Sequence, residues 1–141
     1  MIIKYFDLNK NLNKKNNFYL LYGANSGLIE ETINNTLKPN FTENIYQYEE
    51  NEIISDIDNF KEKIFNKSFF ENEKLIIINR ASDKIFNIIA DLIETNLEDL
   101  KIIIKTGILE KKSKLRSFFE KATNAVIIPF YEDNNQTLLI I

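Results

Sequence analysis

The sequence predicts an α/β protein, a three-layer α/β/α sandwich built on a mostly parallel five-stranded sheet, and three observations lead there. Five short apolar runs recur along the chain, each pair is separated by a stretch whose apolar residues follow helical spacing, and four of the runs are apolar throughout instead of alternating. Strands covered by helices on both faces read this way, because neither face meets water and right-handed crossovers place helices on both sides.

The first run, Phe18 to Tyr22, leads into Gly23-Ala24-Asn25-Ser26-Gly27 and then a helix through about Leu37, expected to stop ahead of Pro39. A second strand is expected at Ile45 to Tyr48, followed by one helix that turns Ile53, Ile57, Phe60 and Ile64 inward. Further strands are read at Leu75 to Ile78, Ile102 to Ile104 and Ala125 to Ile128. The helices between them run from Ser82 to about Glu94, with Ile85, Ile88, Ile89 and Leu92 inward, and from Glu110 to Ala122, with Leu115, Phe118 and Phe119 inward. The expected organisation is one domain over residues 1–135, with 136–141 opening a linker helix toward further domains. That last stretch, Gln136 to Ile141, is an apolar helical pattern with nothing left in the sequence to cover it.

Composition narrows the chemistry. A chain of 141 residues with 44% hydrophobic and 28% charged side chains has the size and balance of one folded unit. A net charge of -3 argues against holding the whole domain on nucleic acid by bulk charge, since phosphate binding needs a positive surface. The sequence has neither cysteine nor histidine, which removes disulfides, thiolate nucleophiles, Ser-His-Asp triads and the commonest transition-metal sites. The longest apolar runs are strand-sized and the N-terminus carries no signal-like stretch, so a cytoplasmic location is expected.

The turn after the first strand sits where an open α/β sheet binds phosphate, at a helix N-terminus beyond the carboxyl end of a strand. A working phosphate loop is G-x-x-x-x-G-K-[ST]. Gly23 to Gly27 is one residue shorter, and Leu28 and Ile29 stand where the Lys and the hydroxyl residue belong. The acidic pair that would close a later strand is missing too, because Leu75 to Ile78 ends in Asn79-Arg80. The turn therefore reads as a vestigial nucleotide site, Gly23 and Gly27, with no cofactor and no metal expected. An alternative reading is a nucleotide- or NAD-binding enzyme, since Gly-Ala-Asn-Ser-Gly resembles the cofactor turn of short-chain dehydrogenases. Against it, Ile29 replaces the third glycine of that fingerprint, and no tyrosine has a lysine four residues on.

Asn66-Lys67-Ser68-Phe69-Phe70-Glu71-Asn72-Glu73 is the most informative stretch. If the preceding helix ran on at 100° per residue, Phe69 and Phe70 would point roughly 160° and 260° from Ile53, outside the buried stripe. Ser68 and Glu71 form Ser-x-x-Glu, a capping box that starts a fresh short helix carrying both rings in its first turn. Either the rings tuck under the sheet edge as satellite core, or they are displayed as an anchor for another protein.

These features together resemble the amino-terminal domain of the delta subunits of bacterial DNA polymerase III, the clamp-loader subunits that open the sliding clamp. The resemblance runs the length of the chain. It rests on Phe18 to Tyr22 with its degenerate turn, on Lys67-Ser68-Phe69-Phe70 before the strand Lys74 to Asn79, and on Leu109-Glu110-Lys111-Lys112-Ser113-Lys114-Leu115. It implies a P-loop NTPase fold of the AAA+ type without ATPase activity, continuing into a lid and a collar domain. Such a domain is an accessory part of a DNA-directed DNA polymerase holoenzyme with no catalysis of its own. Its partners are the ring-shaped sliding clamp (the beta subunit), the other clamp-loader subunits and, indirectly, primed DNA. The family inserts a hydrophobic pair from a short helix into a pocket of the clamp, which assigns clamp binding to Ser68, Phe69 and Phe70. Many relatives carry Leu first, so Phe69 is a departure. The basic run Lys111, Lys112, Lys114 and Arg116 either faces DNA or a neighbouring subunit, or is the solvated face of a helix.

Overall fold

The computed structural model describes residues 2–5, 7–8, 17–40, 44–65, 74–95, 100–122 and 124–130. Ser68, Phe69 and Phe70 lie outside the described residues, as does the expected linker helix at 136–141. Five strands form one sheet: β1 (Phe18–Gly23), β2 (Ile45–Glu49), β3 (Lys74–Ala81), β4 (Leu100–Thr106) and β5 (Ala125–Phe130). Their order is β2-β3-β4-β1-β5, and every neighbouring pair is parallel. No helix among the described residues is long and apolar enough to cross a membrane.

Strand pleating divides the apolar residues between two faces. Phe18, Leu20, Ile76, Ile78, Ile102 and Ile104 point to one side, where α3 (Glu50–Ser55), α4 (Ile57–Phe65), α5 (Phe86–Thr95) and α6 (Lys114–Lys121) contribute Ile53, Phe60, Ile89, Leu92, Leu115 and Phe119. Tyr19, Leu21, Ile77, Ile103, Val126 and Ile128 point to the other, against Ile29 of α1 (Ser26–Thr32), Ile33 and Leu37 of the helical turns after it, and Ile3 and Leu8 near the N-terminus. The N-terminal residues also meet the outer edge of β5, where Ile2 bridges Ile127 and the Ile3 N–H donates to the Ile127 carbonyl at 3.0 Å.

Three helices depart from the sequence reading. The first does not stop ahead of Pro39: α1 passes through a π-helical segment, Ile33–Leu37, into α2 (Lys38–Asn40). A proline crowds the carbonyl four residues back in a regular α-turn, and the wider π-turn before it, with the Lys38 N–H reaching the Ile33 carbonyl, relieves that crowding. The helix expected after β2 is two. Asp56 leaves helical geometry (φ -151, ψ 77) and its carboxylate accepts the Asn59 N–H at 3.1 Å, so it ends α3 and caps α4. The last helix begins at Lys114, not Glu110, because Ser113 is its N-cap and accepts the Arg116 N–H at 3.3 Å.

Two carboxylates staple the connections at the carboxyl edge of the sheet. Buried Glu50 takes both the N–H and the hydroxyl of Ser82 at 2.9 Å, joining the end of β2 to the end of β3. Asp83 accepts the Ser113 hydroxyl at 2.7 Å and the N–H groups of Lys114 and Leu115 at 3.1 and 3.2 Å, so one loop caps the helix that follows another. Desolvation pushes the Asp83 carboxyl up, but the bonds from Ser113, Leu115 and Lys114, with the Lys114 charge, outweigh it and hold the group below its ordinary value. A carboxyl lowered in the folded state stabilises above the ordinary carboxylate range, and the contribution fades as pH falls through the folded-state value. Asp83→Asn should therefore cost about 1 kcal/mol at about pH 7 and less at about pH 3, below the ordinary carboxylate value, where the contribution has begun to fade. Urea unfolding of both proteins at the two pH values measures this; a gap that widens on acidification would contradict it.

Candidate functional site

The candidate site follows from the direction of the crossovers. From β1 the chain moves three positions across the sheet to β2, and every later crossover moves back the other way. With a fixed right-handed crossover, α1 must lie on one face and α3 to α6 on the other, as the two packed faces are. The connections leaving β1 and β4, neighbours in the sheet, therefore diverge to opposite faces and open a crevice at their carboxyl ends. A cleft of about 470 Å³ occupies that place, lined by Gly23, Ala24 and Ile29 after β1, Lys105 and Ile108 at β4, and Arg80 from β3. A smaller cleft of about 250 Å³ adjoins it between the β3 and β4 loops, lined by Ser82, Asp83, Leu109, Lys112 and Ser113, and both share Gly107 and Ile108.

The glycine turn is held by contacts within the protein. Gly23 has φ +130, and a Cβ there would lie 1.8 Å from the Phe130 carbonyl oxygen, so the position admits only glycine. The neighbour that demands it is the backbone of β5. Gly27 is different: a Cβ would meet nothing nearer than the Asn25 side chain at 3.9 Å. Asn25 caps α1 by accepting the Leu28 N–H at 3.1 Å, and the Gly23 N–H donates to the Gly107 carbonyl at 3.0 Å. Lys105, next to the end of β4, is ion-paired with Glu30 of α1. Arg80 adopts φ 53 at a register shift in β3 between Ile78 and Ala81, and its side chain, 88% exposed, stands 4.0 Å from the Glu49 carboxylate. Among the described residues no three acidic side chains converge where they could hold a metal ion.

The basic run does not form one stripe. Lys111 and Lys112 belong to a turn ahead of α6, Lys114 opens the helix, and all three are exposed. Arg116 is turned inward: its guanidinium lies 5.2 Å over the Tyr22 ring, and its Nη1 donates to the Leu109 carbonyl at 3.0 Å. It fastens α6 to the end of β1. Of the glycine pair, only Gly23 borders the cleft, while Gly27 is open. The sequence reading did not single out Lys105, Ile108 or Asp83, and it named Arg80 only as following the run Leu75 to Ile78 where an acidic pair would stand. Lys105 carried a signal, a charged residue closing the apolar run Ile102 to Ile104, and the carboxyl-edge rule applied to β1 finds it when applied to β4.

Comparison of the chain with protein-family models and with curated proteins finds no match.

The two glycines separate packing from ligand binding. Gly23→Ala should cost about 2 to 5 kcal/mol, from overpacking against β5 and from a positive φ. Gly27→Ala, exposed in the first turn of α1, should be neutral or stabilise by up to about 1 kcal/mol through helix propensity. Chemical denaturation of both variants gives the comparison, and a tolerated Gly23→Ala would refute the packing role.

Proposed function

We propose that the protein is a clamp-loader-type interaction module: a domain on the AAA+ plan, without nucleotide hydrolysis, that grips and helps open a DNA sliding clamp through Phe69 and Phe70. The observation that carries this reading is a bond between the two elements that flank the segment bearing the two rings. The chain leaves α4 at Phe65 and enters β3 at Lys74, and the Lys74 ammonium donates to the Lys63 carbonyl at 2.8 Å, linking α4 to the start of β3. A bond between two flanks limits how far apart they move, which lowers the entropic cost of docking side chains carried between them.

Further support comes from the crevice. The glycine that a phosphate would need for close approach serves the β5 backbone instead, Lys105 is engaged by Glu30, and β3 carries Asn79 and Arg80 ahead of its last residue, Ala81, in place of an acidic pair. On this reading the domain supplies binding energy that favours the open or distorted clamp over the closed ring. The dehydrogenase alternative has less support. In the dinucleotide plan the strand whose acidic end holds the ribose lies beside the first strand, whereas β3 and β4 stand between β1 and β2 here.

The test is the affinity for a bacterial sliding clamp of the chain and of its Phe69→Ala/Phe70→Ala variant. The double variant should lose more than about 2 kcal/mol, roughly thirtyfold in Kd, with unfolding unchanged. Equal binding by the two proteins would remove the reading.

A further inference from the structure

We propose a second docking surface at the carboxyl edge of the sheet, centred on Ile108 and fitted to an acidic protein segment with one apolar side chain. It lies outside the segment bearing Phe69 and Phe70 and does not rest on the role proposed for them.

Ile108 is 75% exposed, more than any other large apolar residue among the described ones. It is also held in place. The Gly107 carbonyl before it accepts the Gly23 N–H at 3.0 Å, and the Leu109 carbonyl after it accepts from Arg116 at 3.0 Å. Both flanks are thus fastened to the core while the side chain projects between the two clefts. A rigidly displayed apolar residue beside a cavity is the geometry of an interface anchor, because little conformational freedom remains to be lost on docking. Ala24 and Ile108 give the larger cleft, about 470 Å³, apolar surface and ample room for a Leu- or Ile-sized side chain.

The charges around the clefts select the partner. Those lining the clefts are largely neutralised: Lys105 pairs with Glu30, Lys112 with Glu110 at 3.3 Å, and the Asp83 carboxylate is engaged by the start of α6. Around them Lys84, Lys111 and Lys114 are exposed, the Lys114 charge beside Asp83, and Arg80, which lines the larger cleft, stands 4.0 Å from the Glu49 carboxylate. The result is a rim with a small excess of positive charge, carried by Lys84 and Lys111, on a chain whose net charge is -3. Such a rim complements carboxylates flanking an apolar side chain. A nucleic-acid backbone would use the lysines but has no need of a displayed isoleucine, so Ile108 favours a protein partner.

The experiment uses fluorescence anisotropy with three labelled probes: a short Asp/Glu-rich peptide carrying a single Leu, the same peptide with that Leu replaced by Ser, and a single-stranded oligodeoxynucleotide. The Leu peptide should bind, with the Ser peptide weaker by about tenfold. Ile108→Ser should weaken the Leu peptide to a similar degree, and Lys111→Glu with Lys114→Glu should weaken it and flatten its salt dependence. Ile54→Ser, on α3 and outside both clefts, should change nothing, and thermal melts of each variant check that it folds. The proposal is overturned if the Leu and Ser peptides bind alike, if Ile108→Ser binds as the parent does, if the oligonucleotide binds more tightly than either peptide, or if no peptide binds at millimolar concentration.

Discussion

Burial of a parallel sheet on both faces is the constraint on which this structure depends. A parallel ladder is formed only through long crossovers, and each crossover lays a helix on one face or the other. The central residues of β1, β3, β4 and β5 are therefore apolar on both faces, including those that a half-exposed sheet would leave polar, and the charged residues of β3 and β4 lie toward the strand ends. β2, at the edge, is the exception, with half-buried residues and an exposed Gln47. The single long step from β1 to β2 puts α1 alone on its face, so the N-terminal residues Ile3 and Leu8 are drawn in to complete the cover.

The same step fixes where the molecule has a crevice. The connections leaving β1 and β4 diverge there, and the backbone polar groups at the strand ends must find partners or face water. This chain fills many of those needs itself. Gly23 donates to Gly107, Asn25 caps α1, Lys105 meets Glu30, and Glu50 and Asp83 take up groups from neighbouring loops. Groups paired in this way are engaged within the protein, while Ile108 stands exposed at the rim.

Much of the fold was legible along the chain. Four strands fall where continuous apolar runs place them and β2 falls on the run read at Ile45 to Tyr48, and Ile53, Phe60, Ile64, Ile85, Ile88, Ile89, Leu92, Leu115 and Phe119 are buried as helical spacing predicts. What failed was local: the passage of the first helix through Pro39, the break at Asp56 and the start of α6. A proline's cost depends on the width of the turn around it, and a capping Asp or Ser competes with helix continuation by margins that tertiary contacts decide. Less of the candidate site was legible. Gly23 was found as part of a motif, but its reason, the Phe130 backbone more than a hundred residues away in sequence, was not. Arg116, grouped with the lysines by charge, is engaged by Tyr22 and Leu109.

The sequence by itself determined the class of fold, because strand and helix periods are local and an uninterrupted apolar strand has few places to go except between helices. It also determined which chemistries were closed, since a side chain that is absent cannot act. Only the tertiary structure decided the strand order, the crevice between β1 and β4, and which charges around it were already paired. Those depend on which strands become neighbours, and that is settled by packing between residues far apart in the chain, which no local pattern records.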